Sequence, residues 1–363
     1  MIYIPLLKTR IEELKVAKEF AKYYSSNFIP LFEIITEKHE TVYKIDSATK
    51  DFVYEAKGSR KRKVKEKPTD NDIITLNYIN NLIDGKTAFI DYFRFSEEKY
   101  GKSLNYEGID LAFRISRDSN LYLSKLSEVK AFDNFIPVIS AKKGFIFTKN
   151  ELEKIMKELK SQNQSIALRM TEEPLDDYKS LIENLMDEDD YLLFDIGEQS
   201  VDTKFMEFDE LDNLNIRCKK ILLSSPRKNN IENGKYEIEG PTNLIDNSAL
   251  TKFGDYQFNG IGDYAGLKDD LPKRGGGATG AALALLFNYA DNSFYAFTNR
   301  DTKLGPRGYL SLKPRIMAYK SYLDPNSTCL AYEKIAKLPG SGNWRNWNNI
   351  TLTRYLQQIY NSF

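Results

Sequence analysis

Three stretches of the chain follow one pattern: YIPLLK at Tyr3–Lys8, FIPLFE at Phe28–Glu33 and FIPVIS at Phe135–Ser140. Each runs aromatic, isoleucine, proline, two apolar residues, then a polar one. Five more apolar runs of strand length follow, at Thr87–Phe93, Ser165–Met170, Tyr191–Gly197, Lys219–Ser225 and Tyr256–Tyr264. Runs this short and this uniformly apolar fit strands buried on both faces, as in a parallel sheet. Proline lacks a ladder donor, so each proline is expected near the start of its strand or at a bulge. Between the runs lie segments with apolar residues at three- and four-residue spacing, such as Ile11–Tyr24, Glu151–Gln162 and Asp176–Glu188. That spacing predicts helices. Eight strands alternating with helices over residues 1–264 have the length and order of an α/β, TIM-like (β/α)8 barrel. A doubly wound open sheet is the alternative.

The pattern changes after Tyr264. Ala282–Arg300 reads as two strands joined by the polar ADNS turn, hence a β-hairpin. Pro314–Leu323 and Ile350–Tyr360 read as helices, and the segment between them carries both tryptophans, Trp344 and Trp347. Residues 265–363 are therefore expected to form a C-terminal appendage of hairpin and helices. One insertion, residues 37–68, interrupts the barrel between its second and third strands. It contains KGSRKRKVKEK, Lys57–Lys67, ended by Pro68. Such a charge run reads either as a solvated loop or as a patch that contacts phosphates, with nucleic acid as the partner.

Charge and composition exclude several classes. Lysine plus arginine equals aspartate plus glutamate, 52 each, which argues against a generic, charge-driven nucleic-acid binder and leaves only local patches. Two cysteines without a CxxC pair offer no zinc cluster or disulfide framework. The single histidine, His39, lies in a charged segment, so acid–base chemistry would fall to carboxylates, lysine, tyrosine or cysteine. The start of the chain does not read as a signal peptide, and no run of eighteen apolar residues predicts a membrane span. The expected location is cytoplasmic.

KRGGGATGAALALL, Lys273–Leu286, invites comparison with a phosphate-binding loop. A P-loop needs Lys-Ser or Lys-Thr after its last glycine and then a helix; a dinucleotide fingerprint also needs a helix start. Here a strand-like run follows. What survives is an anion nest built from the amides of Gly275 and Gly276, flanked by Lys273 and Arg274, or a plain joint between barrel and hairpin.

Barrel active sites lie at the C-terminal ends of the strands. The predicted strand ends place Lys8, Glu33, Asp91, Ser140 with Lys142, Arg169, Asp195, Ser224 with Ser225 and Arg227, and Asp263 at one mouth. Glu33, Asp91, Asp195 and Asp263 are candidate catalytic carboxylates. Asp91 and Asp195 are the candidate ligands of a divalent ion, Mg²⁺ or Mn²⁺. Lys8, Arg169 and Arg227 are candidate phosphate clamps. The competing reading is a ring of mutually satisfied salt bridges. A one-residue error of register would swap which residue faces inward.

The segments IYIPLLK, FIPLFEI, FIDYF, FIPVIS, LRM and LLFDIG, together with GDYAG, the glycine-rich turn, FTNRD, GPRGY and GNWRNWNNITLTRYLQQI, resemble the beta protein family of bacteria and phages over nearly the whole chain. The resemblance implies a role in antiviral defence or phage–host conflict. It singles out Gly262, Asp263, Tyr264 and the glycine turn, adds Arg300, Arg307 and Trp344 as candidate ligand-binding residues, and supplies no catalytic set. The 37–68 insertion departs from the family pattern. Three functions follow as expectations: binding of a phosphate-bearing ligand or nucleic acid at the barrel mouth, with output through a nuclease-like partner protein; metal-dependent phosphodiester hydrolysis by the strand-end carboxylates; or a scaffold for a partner nuclease.

Overall fold

The computed structural model describes residues 1–58, 60–274 and 280–362. Its strands are β1 (Ile2–Lys8), β2 (Leu31–Ile34), β3 (Tyr54–Lys57), β4 (Arg60–Lys63), β5 (Ala88–Tyr92), β6 (Phe135–Ala141), β7 (Ala167–Met170), β8 (Tyr191–Asp195), β9 (Lys219–Ser224), β10 (Glu239–Thr242), β11 (Gly260–Asp263), β12 (Ala282–Asn288) and β13 (Ser293–Asn299). Eight of them close into a parallel barrel in the order β1-β2-β5-β6-β7-β8-β9-β11, with β11 returning to β1. Each of the eight apolar runs overlaps one barrel strand. Closure excludes the open doubly wound sheet.

The repeated proline has a physical place. β1 pairs with β11 as far as Pro5 and with β2 from Leu6 onward. β6 pairs with β5 as far as Pro137 and with β7 from Val138 onward. In β6 the residue without an N–H sits where the ladder passes from one neighbour to the other, and in β1 Pro5 falls between the Tyr3–Phe28 bridge and the ladder to β2, so in both strands the missing donor falls at a break in pairing. Pro30 immediately precedes β2. Glycine serves the closure itself. An added Cβ on Gly260 would collide with the Ile2 carbonyl, and on Gly262 it would lie 2.6 Å from the Ile4 carbonyl oxygen.

The helices are capped as their sequences suggest. Thr148 and Glu151 form a reciprocal capping box ahead of Lys149–Lys160, Asp118 caps Ser119–Glu128, and Asn343 caps the long C-terminal helix Trp344–Tyr360. The 37–68 insertion is not a simple loop. β3 and β4 form an antiparallel hairpin, continued by bridges Tyr43–Lys65 and Ile45–Phe52. The basic run therefore lies on a β-ribbon.

After β11 the chain crosses the barrel mouth as a strap. Arg274 N–H donates to Ser103 O at 2.9 Å and Asn105 N–H to Pro272 O at 2.8 Å, with a bridge between Leu104 and Lys273. The strap is thus tied to the loop after β5. Beyond it, β12 and β13 form the expected hairpin and take β10, from the β9–β11 connection, as a third antiparallel strand. The C-terminal helix joins two cores. Leu352, Tyr355, Leu356 and Ile359 belong to the barrel's apolar cluster, whereas Trp347 and Ile350 belong to that of the appendage. No helix among the described residues is long and apolar enough to cross a membrane.

Candidate functional site: an ion-pair network under a strap

Strands β1, β2, β5, β7 and β8 each deliver one charged side chain to the mouth: Lys8, Glu33, Asp91, Arg169 and Asp195, in order. All are buried. Arg169 stands at the centre. Its Nη1 donates to Glu33 Oε1 at 2.6 Å and to Asp91 Oδ2 at 2.8 Å; its Nε and Nη2 donate to Asp195 Oδ2 at 2.9 and 2.7 Å. Lys8 Nζ lies 2.6 Å from Glu33 Oε2 and 2.7 Å from Asp269 Oδ1. Asp269 comes from the strap and also accepts from Lys99 at 2.7 Å and from the Tyr100 hydroxyl at 2.9 Å. Ser140 Oγ donates to Asp91 Oδ1 at 2.8 Å, and Gly197 N–H donates to Asp195 Oδ1 at 3.0 Å.

The sequence places Asp263 in this ring; the structure does not. Tyr3, five residues before Lys8, faces the opposite side of β1, and its hydroxyl donates to Asp263 Oδ1 at 2.8 Å. The Tyr355 hydroxyl of the C-terminal helix donates to Oδ2 at 2.6 Å, and Ala265 N–H to Oδ1 at 2.7 Å. Asp263 therefore points outward and fastens that helix to the barrel. Burial raises its carboxyl above the usual range against the pull of these donors. The next residue takes the inward place. Tyr264 donates to Glu33 Oε1 at 2.7 Å, and its ring lies under Lys8 Nζ at 4.2 Å. A slip of one residue accounts for the difference. Asp269 lies in the strap and Tyr100 ends the short helix Glu97–Tyr100, both away from any strand end, so neither carries a signal in the sequence.

The electrostatics follow from burial against pairing. Burial would raise the Glu33 carboxyl, but Lys8 and then Arg169 outweigh it and hold it well below its ordinary range, at about 2. Burial likewise opposes Asp269, and Lys8 and Lys99 overcome it. Burial opposes Arg169, while Asp195, Tyr264, Glu33 and Asp91 keep it firmly charged. Glu33 and Asp269 are thus ionised in the folded chain at pH values where the unfolded chain has taken up protons. The Glu33 contribution is complete above about pH 4.5 and is lost as pH falls toward about 2, and that of Asp269 is lost in the same direction. Glu13 and Asp263, both raised by burial, work in the opposite direction and offset part of the loss. Urea midpoints are expected to fall from pH 5 to pH 3, and Asp269→Asn to flatten that slope. An unchanged slope in the variant would remove Asp269 from the acid response.

Asp91 and Asp195 hold a guanidinium in the place where a divalent ion would have to sit. Among the described residues no group of three or more His, Cys, Asp or Glu side chains is placed for a metal. Two surface cavities lie elsewhere, one at Asn288, Asp324 and Arg354, the other at Glu37, Tyr92 and Lys125.

The remaining cations differ in kind. Arg94 donates to Ser140 O at 2.5 Å and to Phe145 O at 3.3 Å, with its guanidinium 3.9 Å from the Tyr122 ring centre. Lys142 Nζ lies 4.4 Å over Phe93 and is lowered to about 8 by burial and by Arg169. On the other side of the rim, Arg227 donates to Gly266 O at 3.3 Å and to Asn233 Oδ1 at 3.1 Å. Lys268 donates to the carbonyls of Asn229 at 3.2 Å and Ile231 at 2.6 Å, and is lowered to about 8 by burial and by Arg227. No carboxylate forms an ion pair with any of these four among the described residues. Buried Arg227 Nε and the Tyr236 hydroxyl have no well-aligned hydrogen bond there and face each other instead, with the guanidinium 5.6 Å from the Tyr236 ring centre and its charge opposing the rise that burial imposes on the Tyr236 hydroxyl. Arg300 donates to Tyr236 O at 3.1 Å. Tyr236 thus links Arg227 to Arg300, two residues singled out from the sequence.

Other candidates are not gathered there. Arg307 is exposed on the segment after β13, and Trp344 is exposed at the start of the C-terminal helix beside Arg345. Trp347 is buried in the appendage, stacked on Tyr309 with ring centres 5.8 Å apart. Gly275 and Gly276 lie outside the described residues.

Fold and site together define a (β/α)8 barrel with a charge-paired, strapped mouth and a cationic rim. Compared with protein-family models, curated proteins and solved structures, the chain matches none.

Proposed function

We propose that the protein is a binding module for a phosphate-bearing ligand, held at the barrel rim by Arg227, Lys268, Tyr236 and Arg300. One observation carries this reading: buried Arg227 has no carboxylate partner and only the Tyr236 hydroxyl close to its unaligned Nε, beside a half-buried second cation, Lys268, that only carbonyls hold. A buried donor without an acceptor is costly, and two neighbouring cations repel. A phosphate oxygen relieves both conditions and takes charge-assisted hydrogen bonds from arginine. The inner ring of Lys8, Glu33, Asp91, Arg169 and Asp195 then serves as support beneath the rim rather than as ligand contacts. Metal-assisted hydrolysis has less behind it, because Glu33, Asp91 and Asp195 already neutralise Arg169 and Lys8. The resemblance to the beta protein family sets such binding in antiviral defence or phage–host conflict, with the outcome passed to a nuclease-like partner in the cytoplasm.

Calorimetric titration with inorganic phosphate, nucleoside triphosphates and short oligonucleotides tests the reading. Arg227→Ala and Lys268→Gln are each expected to weaken the best of these by about tenfold or more. Affinity should also fall as pH rises past about 8, where Lys268 loses its proton. Binding that survives both substitutions, or a heat signal with Mn²⁺ that Asp91→Ala and Asp195→Ala abolish, would overturn it in favour of the hydrolase.

A further inference from the structure

We infer that one face of the β-ribbon, made of Tyr43, Phe52, Tyr54, Lys61, Lys63 and Lys65, is a stacking platform for single-stranded nucleic acid. The register sorts the basic run into two faces. Tyr54 pairs with Lys63, Ala56 with Lys61, and Tyr43 with Lys65, so these side chains share one side of the ribbon. Phe52, two residues before Tyr54, joins them. Contacts agree with this assignment: Lys63 Nζ lies 3.4 Å over the Phe52 ring and 5.5 Å from that of Tyr43, and the Tyr43 and Phe52 rings meet edge to face at 6.1 Å. Arg60 and Arg62 point to the opposite side, opposite Glu55 for Arg62.

This face is available. Phe52 is 42% and Tyr54 54% exposed, and Lys61, Lys63 and Lys65 are exposed. The rings of this ribbon pack on one another and on Lys63, and none belongs to the apolar cluster of the barrel. Charge decides the occupant. Residues 37–68 carry ten lysines and arginines against six acids, in a chain with no net charge. The ribbon is thus a local cationic element on an otherwise acidic protein, which draws a polyanion to it. Phe52 with Tyr54, and the three lysines, repeat every second residue, a step of about 7 Å along a strand. Rings offered at that step accept the flat faces of unstacked bases, and the lysine row follows the phosphates. A duplex hides its base faces and offers only phosphates, so it would use the lysines and leave the rings idle. This site is separate from the rim of the barrel.

Fluorescence anisotropy of the full chain with a labelled oligodeoxythymidylate, a DNA duplex, and phosphatidylserine vesicles as competitor provides the test. The single strand is expected to bind more tightly than the duplex. Phe52→Ala and Tyr54→Ala should each weaken it about tenfold. Lys61→Gln with Lys63→Gln should reduce the slope of log affinity against log salt by about 1.4. Arg60→Gln with Arg62→Gln removes the same charge from the other face and should change binding less. These side chains are exposed, and circular dichroism verifies that each variant folds. Equal loss from the two double substitutions, silent ring variants, preference for duplex, or full displacement by vesicles would overturn the inference. Phosphate binding at the rim should be untouched by every ribbon variant, so a failure of either site is seen separately.

Discussion

Arg169→Met is expected to destabilise the chain by at least 3–5 kcal/mol, the range for breaking one buried ion pair by removing a partner. The reason is the number of groups one guanidinium serves. Glu33, Asp91 and Asp195 all accept from it, and all three are buried. Without it, Lys8 still reaches Glu33, but Asp91 retains Ser140 and Asp195 retains the Gly197 amide, neither of which carries charge. Two carboxylates would then be buried without a counter-ion and would either take up protons or open the mouth to water. Domains have only about 5–15 kcal/mol in total, so such a loss is a large part of it. Arg169→Lys should fall between, since an ammonium keeps the charge but cannot spread over three acceptors in a plane. Urea unfolding at pH 7 gives the measurement. If Arg169→Met unfolds within about 1 kcal/mol of the parent while ligand binding disappears, Arg169 acts on the ligand, and the supporting role assigned to the ring fails.

The mouth could be read from the sequence as far as the strands could. Apolar runs fix where a strand ends to within a residue, and in β1, β2, β5, β7 and β8 that sufficed to bring Lys8, Glu33, Asp91, Arg169 and Asp195 together. It failed at β11, where the polar pair Asp263-Tyr264 allows two registers and only the donors from Tyr3 and Tyr355, 260 and 92 residues away, select one. Pairing was less legible than position. A ring of acids and bases looks alike from the sequence whether it binds an ion or neutralises itself; the distinction rests on the reach of one arginine. Asp269 had no local signal, because its role depends on the strap crossing to Lys8 and Lys99. The ribbon was hidden for the opposite reason. Strong charge in KGSRKRKVKEK reads as solvation, and the alternation that makes a strand is masked when both faces are polar.

A chain ending at Gly342 is expected to lose the cooperative fold of the barrel, not only of the appendage. The C-terminal helix is buried on more than one side, with Leu352, Tyr355, Leu356 and Ile359 inside the barrel's own apolar cluster. Each buried side chain of this size contributes about 1.5–3 kcal/mol, so losing four approaches the whole stability of a domain. Polar groups add to the loss. Arg354 donates to the carbonyls of Phe287 and Leu323 at 2.8 and 2.6 Å, Thr351 to that of Leu285 at 2.9 Å, and Tyr355 to Asp263. Removing them leaves the edge strand β12 without its cover and Asp263 buried with fewer donors. The Tyr360 ring also packs on Tyr23 and Phe28, at 4.5 and 6.0 Å, where the chain enters β2. Scanning calorimetry of the full chain should show barrel and appendage unfolding in one transition, and the truncated chain should be aggregated or readily cleaved by protease. A truncated chain that keeps a sharp transition near the parent temperature would show that the barrel stands alone and that Asp263–Tyr355 is a contact between independent units.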